Sequence, residues 1–119
     1  MPIKAIFINS EKREVSFVEV ELNSLHKVKE FIGNDCHRVE AARFLPNNTV
    51  VYADEEGMFN GATYGVRIDK AFPIIGNAMI VGGDELGNSA DVDITLEQAN
   101  SIILGWMDEV EVDGYLSSF

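Results

Sequence analysis

The chain has 119 residues, 46% of them apolar, and carries a formal net charge of −11 at pH 7 with a pI near 4.4. This size and composition imply one domain, 1–119, with a core of its own, and exclude an intrinsically disordered chain. So acidic a domain is repelled by nucleic acid and by anionic membrane surfaces, which excludes direct binding to either.

Cys36 is the only cysteine, so no intramolecular disulfide can form, in keeping with a reducing cytosol. MPIKAIFINS has no apolar signal core, and no uninterrupted apolar run reaches the roughly 18 residues of a membrane span. The expectation is a soluble, cytoplasmic protein.

Ile3–Ile8 and Val15–Val20 are rich in β-branched and aromatic residues and flank the polar stretch Asn9–Glu14, which predicts a β-hairpin. Asn23-Ser24 can cap a short helix with apolar positions Leu25, Val28, Phe31 and Ile32, stopped by Gly33-Asn34. His37–Phe44 and Thr49–Ala53 read as a second strand pair joined through the turn formers of Leu45-Pro-Asn-Asn48. Asp54-Glu-Glu-Gly57 ends that pair, and Met58–Ala71 is ambiguous, reading as a loop with room for one helical turn. Phe72–Val81, the most apolar run, predicts a central strand with a bend or bulge at Gly76-Asn77. Gly82-Gly83 closes it as a turn needing positive φ. Asp84–Ala90 reads as a polar loop and Asp91–Ile94 as a short edge strand.

Thr95 and Gln98 have capping-box spacing, and Ala99, Ile102, Ile103, Trp106, Met107 and Val110 recur at helical spacing. One continuous helix over about 95–110 is therefore expected, with an acidic tail over 108–119. The fold class is α+β: a mostly antiparallel sheet of five to six strands, with one short helix and one longer C-terminal helix packed on it.

Charge divides the chain. Lys70 is its last cation, and the 49 residues that follow hold nine carboxylates and no Lys or Arg. Residues 1–70 are nearly balanced at −2, so the remainder carries −9. A helix over 95–110 places Asp108, Glu109 and Glu111 at its C-terminus, against the negative end of the macrodipole. Stability alone would favour cations there, so the acids serve either solubility or a partner with a basic surface.

KAIFINSEKREVSFVEVE, VVYADEEGMFNG and IIGNAMIVGGDELG occur in that order. Over residues 3–87 the chain thereby resembles a small uncharacterised domain family of phages, plasmids and integrative elements. Its members share an N-terminal hairpin, an Asp-Glu-Glu-Gly strand end and an Ile-x-Gly-x-Ala strand. The resemblance implies a mobile-element setting, where counter-defence proteins are common neighbours, and no particular chemistry.

The remaining candidate sites favour binding over catalysis. Asp54, Glu55 and Glu56 are consecutive acids at a strand end, which alternate sides and face water rather than pairing for acid/base work. The oxygens of Asp84–Asp93 do not follow the order of a Ca²⁺ loop. Cys36-His37 and His26 lack a third group to orient a base, and too few ligands are present for structural zinc. No phosphate-binding glycine loop follows any predicted strand. No enzyme, metal or cofactor is expected.

The expected function is a non-enzymatic acidic binding protein, a counter-defence inhibitor that mimics DNA. Asp108, Glu109, Glu111, Asp113, Asp54, Glu55 and Glu56 would face the basic nucleic-acid-binding surface of a host protein. The alternatives are an oligomeric protein sequestering a small signalling nucleotide through aromatics such as Phe59 or Tyr64, an uncharacterised accessory protein, and, last, a hydrolase built on Asp54-Glu55-Glu56.

Overall fold

A computed structural model of the chain describes residues 2–21, 31–32, 39–46, 48–54, 63–68, 72–83 and 89–118. The predicted hairpin forms as β1 (Ile3–Asn9) and β2 (Glu14–Val20), paired antiparallel from Ile3 opposite Val20 to Asn9 opposite Glu14. Its turn is fixed locally. Asn9 Oδ1 accepts the Lys12 N–H at 3.1 Å, and Arg13 takes the left-handed conformation at φ 56°. The second pair is β3 (Val39–Leu45) and β4 (Thr49–Asp54), with a register shift between Ala41 and Arg43. Asn48 carries the positive φ of this turn, as the Asn-rich sequence leads one to expect.

The apolar run after Phe72 is two strands rather than one. β6 (Ile74–Ile75) and β7 (Ala78–Gly83) are separated by the predicted bend, where Gly76 adopts φ 107°. Ser10 holds the bend in place: its hydroxyl donates to the Gly76 carbonyl at 2.5 Å, and its N–H donates to Asn77 Oδ1 at 2.9 Å. The two strands enter different sheets. The larger has six antiparallel strands in the order β2-β1-β7-β4-β3, with β8 (Ser89–Ala90) paired to the end of β7. The smaller joins β6 to β5 (Gly65–Arg67) and β9 (Gly105–Met107).

Rows of paired residues explain where the core lies. One row runs Phe17, Ile6, Ile80, Val51, Arg43 across β2, β1, β7, β4 and β3. Its three middle members are fully buried, whereas Phe17 at the edge is 42% exposed with the Lys4 ammonium over its ring. On this face Ile6, Ile8, Ala78 and Ile80 pack with Val66, Ile68 and Ile74 around the small sheet and with Ala99. Ala5, Met79 and Val81 point to the opposite face, where Ile32 is buried and the Phe31 ring meets that of Phe7 at a tilt of 56° with centroids 5.6 Å apart. Phe31 and Ile32, the described part of the predicted first helix, are helical; its Leu25 and Val28 lie outside the described residues.

Four further expectations are corrected. The helix over 95–110 is broken into α1 (Leu96–Ile102), β9 and α2 (Glu109–Leu116). The Thr95–Gln98 capping box is present, so the start is as expected. At Ile103, however, the backbone turns extended, the Leu104 N–H bonds to the Arg67 carbonyl at 2.7 Å, and Gly105–Met107 pair with β5. An apolar run such as Ile102–Met107 fits either period, and Gly105 weakens the helical choice. Val110, assigned to the apolar stripe, is accordingly 79% exposed. The edge strand expected at Asp91–Ile94 lies instead at Ser89–Ala90, and Gly65–Arg67, within the expected loop, is a strand. Lastly, Gly82 and Gly83 are strand residues of β7 rather than a turn; the requirement at Gly82 is for close approach of backbone, not for positive φ.

The fold class is nevertheless the expected α+β with a six-stranded antiparallel sheet and a C-terminal helix. A glycine in α2 meets no such constraint. Gly114 sits exposed within α2, and a Cβ added there would meet nothing within 4 Å. Gly114→Ala should therefore raise stability by about 0.5–1 kcal/mol, the usual helix-interior difference. Chemical denaturation would read this as a higher midpoint at unchanged slope.

Candidate functional site

The acidic residues singled out at 108–113 are brought together on α2, but at its opposite end from the one expected. Asp108 is the N-cap, its side chain accepting the Glu111 N–H at 2.9 Å, and Glu109 and Glu111 occupy the first turn. The macrodipole argument thus changes sign. Carboxylates at a helix N-terminus are stabilising, each by about 0.3–1 kcal/mol when exposed. Asp108 consequently has a structural role. Asp108→Ala should cost about 1 kcal/mol and Asp108→Asn much less, since Asn keeps the capping oxygen. Equal losses in thermal melts of the two variants would show that the cap contributes nothing.

Glu109, Glu111 and Asp113 are exposed, whereas Asp108 is partly buried. The helix is seated by Val112, which is 2% exposed and packs with Met107 of β9 and Ile75 of β6, flanked by Tyr115 and Leu116. The Tyr64 hydroxyl, just before β5, donates to Glu109 Oε1 at 2.8 Å and ties the start of α2 to the small sheet. That bond needs the phenol proton, so it raises the Tyr64 pKa above its ordinary value. Burial and the charges of Glu109, Glu11 and Asp108 push in the same direction. Beside this contact lies an open groove of about 390 Å³, lined by Thr63, Glu109, Val110, Val112, Asp113 and Leu116. Sequence reading considered Tyr64 only as a stacking ring and did not consider Thr63. No local signal pairs them with a helix 45 residues further on.

Asp54 does not join this cluster. It ends β4 of the large sheet, opposite Val39, and is partly buried. Glu55 and Glu56 lie outside the described residues, as do His26, Cys36, His37, Phe59, Asp84 and Glu85. In the expected polar segment 84–93, Asp91 serves the backbone: its Oδ1 accepts the Lys4 N–H at 2.8 Å, and the next residue, Val92, donates to the Lys4 carbonyl at 2.8 Å. Among the described residues no group of three or more His, Cys, Asp or Glu is arranged to hold a metal ion. No helix among them is long and apolar enough to cross a membrane.

No curated protein and no solved structure matches the chain significantly. A family match does exist, and it covers residues 3–106, continuing past the three motifs through α1 to Trp106 of β9. It stops short of α2, so the acidic helix is the part of this chain that the family description does not cover. By the extent of that match the chain belongs to the uncharacterised family described as Domain of unknown function (DUF3846).

Proposed function

We propose that this chain is a non-enzymatic binding protein that presents carboxylates to the basic, nucleic-acid-binding surface of another protein. The supporting observation is the display of exposed charge. Glu109, Glu111 and Asp113 on α2, with Asp91, Asp93 and Glu97 before and within α1, are all exposed. No Lys or Arg follows residue 70 to offset them. Exposed carboxylates in a cation-free stretch of 49 residues give a field that steers a basic partner and competes with its nucleic acid. The setting we propose is the bacterial cytoplasm during carriage of a phage or other mobile element, with a host defence protein as the target. Sequestration of a small nucleotide is less well supported, because the groove beside α2 presents Glu109 and Asp113 to any phosphate that enters.

The test uses immobilised protein and bacterial lysate. Basic nucleic-acid-binding proteins should be retained, should elute as salt rises from about 50 to 200 mM, and should be released by added duplex DNA. Retention indifferent to both salt and DNA refutes the proposal.

A further inference from the structure

We infer that the groove beside α2 is a docking site for a basic protein segment in which an Arg or Lys adjoins an aliphatic side chain. The inference rests on the binding role proposed above and specifies its short-range anchor. The groove, at about 390 Å³, lies at the small end of the roughly 300–1,000 Å³ typical of binding sites. It suits a few side chains rather than a large ligand. Apart from Thr63, its lining is of two kinds. Val110, Val112 and Leu116 are aliphatic, and Val110 is left 79% exposed. Glu109 and Asp113 stand four residues apart and so share a helix face.

Those two kinds of lining narrow the occupant by charge complementarity. An anion meets two carboxylates, and a purely apolar ligand would strip water from them without returning a hydrogen bond. A guanidinium or ammonium beside a methyl-bearing side chain answers both demands. The groove's own lining supplies no cation to fill the position. Tyr64 deepens the selection by fixing one oxygen of Glu109 at 2.8 Å, which orients the carboxylate before any partner arrives.

The test is an NMR titration of the full chain with end-blocked peptides: Leu-Arg-Leu, Ser-Arg-Ser and Leu-citrulline-Leu. Leu-Arg-Leu should shift the amides of Thr63, Tyr64, Val110, Asp113 and Leu116, and each control should bind about fivefold or more weakly. Val110→Ser, at an exposed position that leaves the fold intact, should weaken Leu-Arg-Leu and leave Ser-Arg-Ser unchanged. Glu109→Gln with Asp113→Asn should weaken both arginine peptides. Equal binding of the two arginine peptides, shifts spread evenly over Asp91–Glu97 and α2, or no shifts at millimolar peptide would each overturn the groove as an anchor. None of these touches the salt- and DNA-sensitive retention by which the broader reading is judged, so the two can fail separately.

Discussion

Gly82→Ala should be among the most damaging single substitutions in this protein, costing about 3 kcal/mol, the upper part of the usual overpacking range. Gly82 is buried in β7 opposite Ala90 of β8. An added Cβ would lie 2.3 Å from the Asp91 carbonyl oxygen, 3.0 Å from the Asp91 carbonyl carbon and 3.1 Å from the Ala90 oxygen. All three are backbone atoms, so no side chain can swing aside. Nor can the segment easily retreat, because Asp91 and Val92 are hydrogen-bonded to both backbone groups of Lys4 in β1. Relief requires β8 to leave the sheet. For a domain of this length the loss corresponds to a fall in Tm of roughly 10–15 °C. A stability loss below about 1 kcal/mol would mean that β8 is not seated against β7 as described. Gly114→Ala is the same chemical change with the opposite expected sign, and the neighbours alone decide it.

The sequence made the large sheet legible wherever local signals and burial agreed. The first hairpin announced itself through β-branched runs around a polar turn, and the Asn-rich turn before Thr49 supplied the residue that tolerates φ 58°. Gly76-Asn77 was readable as a bend for the same reason. What stayed hidden depended on distant partners. Gly65–Arg67 is too short to show a period, and becomes a strand because Ile74–Ile75 and Gly105–Met107 flank it. Ile102–Met107 satisfies helical spacing, yet the Arg67 carbonyl and the free edge of β5 capture its backbone. That single break carried the largest functional consequence. Shifting the helix start from Thr95 to Asp108 moves three acids from the wrong end of one dipole to the right end of another. The acidity around 108–111 is therefore accounted for in part by helix capping. Glu97, in the first turn of α1, has the same account, whereas the exposed charge of Asp113 and Asp93 has none.

The decisive functional comparison must therefore spare Asp108 and control for total charge. The triple variant Glu109→Gln, Glu111→Gln, Asp113→Asn reduces the net charge from −11 to −8 while keeping size, the N-cap and the acceptor for the Tyr64 hydroxyl. Losing two favourable first-turn charges costs up to about 1–2 kcal/mol, offset in part by relieving Asp113 nearer the negative end; the fold should survive. Glu14→Gln, Glu19→Gln, Glu40→Gln removes the same charge from exposed positions on the two hairpins of the large sheet. If α2 is the presenting surface, the first variant should bind the basic partner about tenfold or more weakly, chiefly through slower association, and the hairpin variant should change little. The salt dependence should flatten in the same order, because only charges close to the partner's surface escape screening over a Debye length of about 8–10 Å. Equal weakening by both variants would mean that total charge alone steers the partner. Undiminished binding by the first would remove α2 from the interface altogether, leaving Asp91, Asp93 and Glu97 as the acids still to be tested.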